Sequence, residues 1–190
     1  MIKTSTEADE ARVIDAILLG FSADPVVRWL FPEPQRFLAK FPTLIRLFGG
    51  RAFEHNAAYH LDGFIGAALW LPPGIHPDED GLTKFFQAEF TGSSLETVFA
   101  LFEQMDEFHP DEPCYHLTFI ALDPSQQGKG YGSKILEHTL EICDRNKKLS
   151  YLESTNEANL SLYRRYGFEV IGNIQAGSSP PLFPMIREPR

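Results

Sequence analysis

The first quarter of the chain carries apolar side chains at helical spacing. From Thr6 to Phe21 they recur every three or four residues, which predicts an amphipathic helix with one buried face. Thr6 and Asp9 resemble a capping box at the start of this helix. Prolines divide the segment that follows, so we expect two shorter helices, Val26–Leu30 and Gln35–Phe48. The periodic positions of the first helix are Ala11, Ile14, Ile17, Leu18 and Phe21.

The next segment has the pattern of a β-hairpin. Ala57–Leu61 and Phe64–Leu71 are strand-like runs of apolar residues. The dipeptide Asp62-Gly63 between them suits a two-residue type I′ turn. We therefore expect two antiparallel strands joined directly by this turn.

An acidic stretch, residues 76–113, follows the hairpin and carries two further helical patterns. They extend over Gly81–Phe90 and Ser94–Phe108. Helices at these positions would be inserted between strands, where they could form one wall of a site.

The C-terminal half alternates strand and helix patterns. Tyr115–Leu122 and Leu149–Ser154 are β-rich runs with an amphipathic helix between them. Asn156–Tyr166 is a second helical pattern, and Gly167 after it is typical of a left-handed C-cap. The order β-α-β-α implies a parallel pair of strands. The apolar positions of the helix between these two strands are Ile135, Leu136, Leu140 and Cys143. Two closing antiparallel strands are expected over Phe168–Ile174 and Leu182–Ile186.

Composition narrows the class of protein. With 190 residues and 43% hydrophobic content, the chain is expected to form one domain with a sizeable core. A formal net charge of −9 argues against nucleic acid as a partner, because phosphate binding needs a basic face. The N-terminus lacks the apolar segment of a signal peptide, and no apolar run is long enough to span a bilayer. Two cysteines, Cys114 and Cys143, are too few for a disulfide framework, so we expect a soluble protein of the reducing cytoplasm with no membrane partner.

A glycine-rich turn joins the strand ending at Leu122 to the following helix. Glycines let the backbone approach an anion closely, and amide groups at a helix N-terminus can point at phosphate oxygens. The turn therefore predicts a diphosphate site, and a glycine-rich connection that binds no ligand is the alternative. A dinucleotide loop would need a third glycine where Ser133 stands, and the chain is too short for a second mononucleotide half, although Glu153 lies where a ribose-binding acid could be. The spacing of a nucleoside-triphosphate loop is absent. The turn consists of Gln127, Gly128, Lys129, Gly130, Tyr131, Gly132 and Ser133.

Two motifs in this half resemble those of the GNAT superfamily of N-acetyltransferases. The first is Gln/Arg-x-x-Gly-x-Gly/Ala after a strand, and the second is Asn-x-x-x-Tyr-x-x-x-Gly-Phe. The residues that match them are Gln127, Gly130 and Gly132, and then Asn159, Tyr163, Gly167 and Phe168. The segments His109–Pro113, Gln127–Gly130 and Leu152–Ser154 are similar to the branch that contains puromycin N-acetyltransferase. The resemblance covers about residues 110–168.

The resemblance implies a binding site for acetyl-CoA as co-substrate, with no metal. The glycine turn, Gln127 to Ser133, would bind the coenzyme A pyrophosphate through main-chain amides. The strand end would pair with pantetheine, because GNAT folds splay two parallel strands apart and leave backbone groups free there. Asn159 and Tyr163, four residues apart on one helical face, would address the same ligand. Tyr163 would protonate the departing thiolate, with Tyr166 expected to be a packing residue instead. The strand residues concerned are Ile120, Ala121 and Leu122.

An amine must lose a proton before it attacks a thioester, so the site needs a base. Glu153, near the end of its strand, is one candidate, acting directly or through water, or holding a cationic amine in place. Its alternative is a surface or capping carboxylate, the usual location of glutamate. His116 on the neighbouring strand is a second candidate base, although a lone histidine is more often structural.

Other reactive or aromatic residues are interpreted as structural. The aromatic residues of the predicted walls are more often core than ligand-binding, and Cys143 falls on a buried helix face. Charged residues near the end of the second inserted helix are interpreted as a solvated face, although they could attract a cation. The aromatic residues are Trp29, Phe31, Phe37, Phe41, Phe85, Phe86 and Phe90, and the charged ones are Asp106, Glu107 and His109.

The sequence is therefore expected to encode a GNAT-type α/β domain: a mixed, mainly antiparallel sheet with one splayed parallel pair and helices on both faces. Residues 1–190 would form one N-acetyltransferase domain, divided at 1–75, 76–113, 114–168 and 169–190. A neutral amine of a small molecule would attack acetyl-CoA directly in a ternary complex, and main-chain amides would stabilise the oxyanion of a tetrahedral intermediate. A non-catalytic acyl-CoA-binding module and a nucleotide-dependent oxidoreductase are the alternatives. A monomer and a homodimer are both open.

Overall fold

Seven strands form one sheet in the computed structural model, which describes residues 1–190. The strands are β1 (Ile2–Thr4), β2 (Ala58–Leu61), β3 (Gly66–Leu71), β4 (Tyr115–Leu122), β5 (Ser150–Ser154), β6 (Glu169–Val170) and β7 (Phe183–Arg187). Their order across the sheet is β1-β2-β3-β4-β5-β7-β6. Every neighbouring pair is antiparallel except β4–β5, which is parallel. The predicted fold class, a mainly antiparallel mixed sheet with one parallel pair, is confirmed.

Seven α-helices accompany the sheet. They are α1 (Glu10–Gly20), α2 (Pro25–Leu30), α3 (Pro34–Gly49), α4 (Glu79–Glu89), α5 (Gly92–Phe108), α6 (Tyr131–Arg145) and α7 (Leu160–Arg165). The predicted capping box is present, with Asp9 accepting hydrogen bonds from the amide and hydroxyl of Thr6, both at 3.0 Å. All the predicted helices therefore form, with ends that differ from the prediction by a few residues. None of them combines the length and the apolar character that a membrane crossing requires.

The helices cover both faces of the sheet, and Phe119 of β4 shows how. Its ring lies 5.6 Å from that of Phe21, after α1, and 6.1 Å from that of Phe41 on α3. On the opposite face Tyr59 of β2 packs against His138 of α6, with a ring separation of 5.4 Å. Burying apolar residues on both faces gives the sheet two hydrophobic layers.

The loop between β2 and β3 differs from the predicted two-residue turn. Phe64, expected in the second strand, lies in the turn with a left-handed φ of 58°, as does Gly63 with φ 75°. The Phe64 ring stacks on His60 at 4.1 Å, and the Arg12 guanidinium lies 3.8 Å from its centre. The type I′ prediction is wrong because these tertiary contacts hold Phe64 out of the strand.

The C-terminal hairpin is shorter than predicted. Of the expected strand over residues 168–174, only Glu169–Val170 pairs continuously, followed by a single bridge between Ile174 and Leu182. Gly172 lies against α5, where a Cβ would be 2.2 Å from the ring of Phe108. Packing against this helix takes the place of strand pairing.

The parallel pair opens partway along its length. Only Tyr115–Leu117 and Ser150–Leu152 are in register. Directly after them β4 contains a β-bulge, because Leu117 pairs with Trp70 and Phe119 with Leu69 of β3, leaving Thr118 as an extra residue. A bulge bends and twists its strand. The rest of β4 therefore pairs with β3 on one edge and leaves its other edge facing the gap beside β5.

Candidate active site

The gap between β4 and β5 opens into a cleft of about 780 Å³. Its floor is β4 from Leu117 to Leu122 and the end of β5, and the glycine turn and α7 close one side. Residues of α2, α3 and α5 form the opposite wall. The second of the two helices inserted between β3 and β4 thus contributes to the wall of a cavity, as the sequence suggested.

The glycine turn presents an open concave surface at the N-terminus of α6. Gly128 and Gly130 have φ values of 73° and 81°, a region that residues with side chains rarely adopt. No atom lies within 4 Å of the position that a Cβ would occupy at either glycine. Gly130 is also the N-cap of α6, a helix of 15 residues whose first amides lack intrahelical partners. The surface therefore fits a diphosphate bound through main-chain amides.

Most of the residues predicted to bind the cofactor line this cleft. Two of the turn residues do not: Lys129 is exposed, with its Nζ donating to Oε1 of Gln126 at 3.1 Å, and Tyr131 begins α6 with its ring packed on the core. The predicted residues that line the cleft are Ile120, Ala121, Leu122, Gln127, Gly128, Gly130, Gly132, Ser133 and Asn159.

Glu153 and His116, the two candidate bases, form one pair. Oε2 of Glu153 lies 2.8 Å from Nε2 of His116, and the two side chains are only 5% and 6% exposed. Glu153 lines the cleft, whereas His116 is buried behind it. Oε1 of Glu153 makes no hydrogen bond within the protein, so it is free to accept one from a molecule in the cleft. The surface interpretation of Glu153 is wrong.

Aromatic rings surround the pair on the side away from the cleft. The His116 ring lies 5.3 Å from that of Tyr151 and 5.4 Å from that of His109. Burial, and then the charge of Glu153, raises the pKa of Tyr151 above its usual range. Burial and the neighbouring His116 lower the pKa of His109. His109, interpreted from the sequence as part of a solvated face, is half-buried in this group instead.

Tyr163 of α7 lies across the cleft from the wall helices. Its side chain is buried apart from the part that lines the cleft, and its hydroxyl makes no hydrogen bond within the protein. Burial, and then the negative charge of Asp24, raises the pKa of the hydroxyl above its usual range. Tyr163 is therefore protonated at neutral pH and can act as a donor. Tyr166, the alternative, is half-buried outside the cleft, where its carbonyl accepts a hydrogen bond from Arg187 at 2.8 Å.

A second carboxylate in the cleft, Asp24, was not singled out from the sequence. Its Oδ1 caps α2 by accepting from the amides of Val26 and Val27 at 3.0 Å, and its Oδ2 accepts from the hydroxyl of Thr155. Burial raises its pKa, although these hydrogen bonds oppose the shift. An aspartate before a proline is a common helix N-cap, so no sequence pattern indicates that its other oxygen reaches the loop after β5.

Of the aromatic residues interpreted as core, only Phe41 lines the cleft. The others are buried or half-buried in aromatic packing, for example Phe31 against Phe85 at 6.4 Å and Phe86 against Phe90 at 6.2 Å. Phe48 and Phe102, which the sequence did not single out, contribute two further rings to the wall. The structural interpretation of the predicted set is thus confirmed apart from Phe41.

Comparison with known proteins identifies relatives of this chain. The model of a family described as acetyltransferase (GNAT) family matches residues 55–168. An uncharacterized N-acetyltransferase of Schizosaccharomyces pombe is 28% identical over 213 residues, covering 100% of this chain and 84% of the relative. The crystal structure of histone acetyltransferase HPA2 and related acetyltransferase from Corynebacterium glutamicum has a TM-score of 0.70 at 24% identity, covering 100% of this chain and 96% of that one. Arylalkylamine N-acetyltransferase 2 from Aedes aegypti has a TM-score of 0.68 at 15% identity, covering 100% and 99%. These structures share the fold.

Proposed function

The chain belongs to the acetyltransferase (GNAT) family and is an acyltransferase, and we propose that it transfers an acetyl group from acetyl-CoA to a primary amine of a small molecule. One observation carries the proposal. The open edge of β4, the glycine turn, the Glu153 carboxylate and the Tyr163 hydroxyl all meet in a single cleft. An acetyl donor and an acceptor amine can therefore bind together in one ternary complex, next to a base and an acid of the protein.

Acetyl-CoA supplies an acetyl group activated as a thioester. The main-chain amides from Gln127 to Ser133 would hold its diphosphate, since Gly128 and Gly130 turn the backbone outward without crowding the space above them. The free backbone edge of β4 from Ile120 to Leu122 would hold the pantetheine arm. Amides of the same edge would stabilise negative charge on the thioester oxygen. Asn159 lies on the same side of the cleft as Tyr163 and would contact the same ligand.

Glu153 would remove the proton from the acceptor amine. Its Oε2 is engaged by His116, which fixes the carboxylate, and its Oε1 remains available to the amine. The same carboxylate attracts the ammonium form that predominates in solution. Because both side chains are shielded from water, electrostatic interactions at this point are stronger than at the surface. His116 would act through Glu153 rather than on the amine itself.

Tyr163 would donate its proton to the departing thiolate. A thiol pKa of about 8.5 makes the thiolate a fair leaving group, so this acid assists the reaction rather than controlling it. A tyrosine is protonated at neutral pH at its ordinary pKa of about 10, and the raised pKa of Tyr163 keeps it so. The absence of an internal hydrogen-bond partner leaves the hydroxyl free to face the sulfur.

Several finer predictions accompany this proposal. The similarity of His109–Pro113 and Leu152–Ser154 to the puromycin N-acetyltransferase branch favours a small-molecule acceptor over a protein. The net charge of −9 argues against nucleic acid. Cys114 and Cys143 are free, buried thiols whose pKa burial raises to about 12 and about 11, as expected of structural cysteines. We keep the prediction of a cytoplasmic location. We keep the predictions of one N-acetyltransferase domain over residues 1–190, and of a monomer or homodimer.

The proposal is tested by thiol release from acetyl-CoA in the presence of a panel of amines, polyamines and short peptides. The expected result is release that depends on both an amine and the enzyme, with the acetylated amine identified by mass spectrometry. Absence of amine-dependent release across the panel, from protein that is folded and binds coenzyme A, would contradict the proposed transfer reaction.

A further inference from the structure

One wall of the cleft is lined by apolar side chains only. This wall comes from three helices, and all nine of the residues that they contribute are apolar. They are Val26, Val27 and Leu30 of α2, Phe41, Leu44 and Phe48 of α3, and Leu101, Phe102 and Met105 of α5. β4 and the glycine turn are proposed to bind acetyl-CoA, the acetyl donor. The acceptor amine would therefore contact this wall.

The charged groups of the cleft offer one carboxylate oxygen without a hydrogen-bond partner. It is Oε1 of Glu153, a residue that lines the cavity and whose Oε2 pairs with His116. Asp24, the other carboxylate, already accepts from two main-chain amides and from Thr155. The remaining charged residue that lines the cleft, Arg165, carries the same sign as an ammonium.

From these two observations, and on the basis of the proposed function, we infer that the acceptor is a primary monoamine on an apolar or aromatic body. Its nitrogen lies at Glu153, and its hydrocarbon part lies along the α2–α3–α5 wall. The transfer joins the amine nitrogen to the acetyl carbon and breaks the carbon–sulfur bond. The amine proton passes to Glu153, and the thiolate is protonated by Tyr163.

Other classes of amine fit this wall poorly. A diamine or polyamine would place its second ammonium against apolar side chains, since both oxygens of Asp24, the other carboxylate of the cleft, are already hydrogen-bonded, and a buried unpaired charge is strongly disfavoured. A peptide would place amide groups where no polar side chain of these helices can pair with them. An apolar body, in contrast, gains from the burial of its own surface.

The test uses two acceptors of equal length that differ by one charge, hexylamine and 1,6-diaminohexane, together with 2-phenylethylamine and triglycine. We expect kcat/KM for hexylamine and 2-phenylethylamine to exceed that for the diamine by roughly 100-fold, because the second charge has no partner. Triglycine is expected to be as poor as the diamine. Equal or better turnover of the diamine or of triglycine would overturn this inference but leave the transfer reaction standing. Failure of every amine would overturn both.

A matched pair of variants on α5 tests the wall directly. Phe102 and Phe99 are both half-buried and both pack on Phe86, at 4.7 and 6.4 Å, but only Phe102 lines the cleft. Phe102→Glu supplies a counter-charge inside the cleft and is expected to narrow the preference for hexylamine over the diamine by about 10-fold. Phe99→Glu is expected to leave the preference unchanged. If the preference for hexylamine changes equally in both variants, or changes in neither although both fold, the acceptor does not bind along this wall. If Phe102→Glu does not fold, the panel of amines with the wild-type protein decides.

Discussion

Glu153 and His116 share a 2.8 Å hydrogen bond across the only parallel strand pair of the sheet. His116 is in register with Tyr151, two residues before Glu153, so both side chains project from the same face. The bulge at Thr118 then separates the strands directly beyond the pair. Glu153 thus lies at the point where the sheet opens, with His116 on its closed side.

The first prediction concerns Glu153→Gln, which keeps the shape of the side chain but removes its basicity. We expect kcat/KM for the amine to fall by about 10²–10⁴, the usual contribution of a general base, while acetyl-CoA affinity is unchanged. Steady-state thiol release and calorimetry measure the two quantities. Glu157→Gln, at an exposed position in the segment that follows β5, is the matched control and should behave as wild type. Wild-type turnover in Glu153→Gln would remove the carboxylate from the mechanism.

Tyr163→Phe removes only the hydroxyl that faces the cleft. Because thiolate is already a fair leaving group, we expect a fall in kcat of roughly 10- to 100-fold, at the low end of acid catalysis. Stability should change little, since the hydroxyl has no partner to lose. Tyr166→Phe, three residues further along, is expected to keep full activity. Rates that fell in Tyr166→Phe and not in Tyr163→Phe would show that the acid had been assigned to the wrong residue.

Gly130→Ala tests the glycine turn. A side chain at φ 81° costs about 1–2 kcal/mol of stability through backbone strain alone, because no neighbouring atom crowds the site. The added methyl group would also enter the space proposed for the diphosphate, so we expect acetyl-CoA affinity to fall by more than that strain explains. Gly50→Ala is the control, since φ there is −63° and the nearest atom is an ordinary contact at 3.8 Å. Its stability should be equal to or slightly above wild type. Wild-type affinity in Gly130→Ala would argue against diphosphate binding at this turn.

Stability is expected to depend on pH through His109. Burial, followed by the charge of His116, lowers its folded-state pKa, and Glu153 only partly opposes the shift. The unfolded chain therefore takes up this proton first. The contribution of neutral His109 is complete above about pH 6.5 and is lost as the pH falls from there through the lowered folded-state pKa.

Urea unfolding between pH 8 and pH 5 measures this effect. The free energy of unfolding of His109→Asn is expected to fall less steeply below pH 6.5 than that of the wild type. His55→Asn, at an exposed position, should keep the wild-type slope. The free energy of unfolding of His109→Asn should still depend on pH in this range, because burial lowers the pKa of His60 as well. Identical slopes for wild type and His109→Asn would contradict the shift.

Local patterns were enough to predict most of the elements and most of the residues that line the cleft. Periodicity placed all the helices, and the order of strands in the second half gave the parallel pair, since a helix between two strands returns the chain in the same direction. The glycine turn and the β4 edge could be predicted because their residues are contiguous in sequence. Glu153 and Tyr163 each lie within a predicted element, β5 and α7, and both line the same cleft.

Features that depend on distant contacts could not be predicted. Phe64 leaves its strand because of His60 and Arg12, and a sequence pattern does not show such a contact. The pairing of Glu153 with His116 depends on strand register, and the role of Asp24 depends on Thr155, which is 131 residues away. Local propensity gives no information about contacts between residues that are far apart in the sequence. Such contacts decide which carboxylate oxygens of the cleft remain without a hydrogen-bond partner.

The most direct test of the central claim is calorimetric titration of the wild-type protein with acetyl-CoA and with S-acetylpantetheine, which lacks the diphosphate. We expect one binding site for acetyl-CoA and much weaker binding of S-acetylpantetheine. The difference in affinity between the two ligands should be smaller in Gly130→Ala. No heat with acetyl-CoA, or equal affinity for the two ligands, would contradict the proposal that the turn from Gln127 to Ser133 holds the diphosphate.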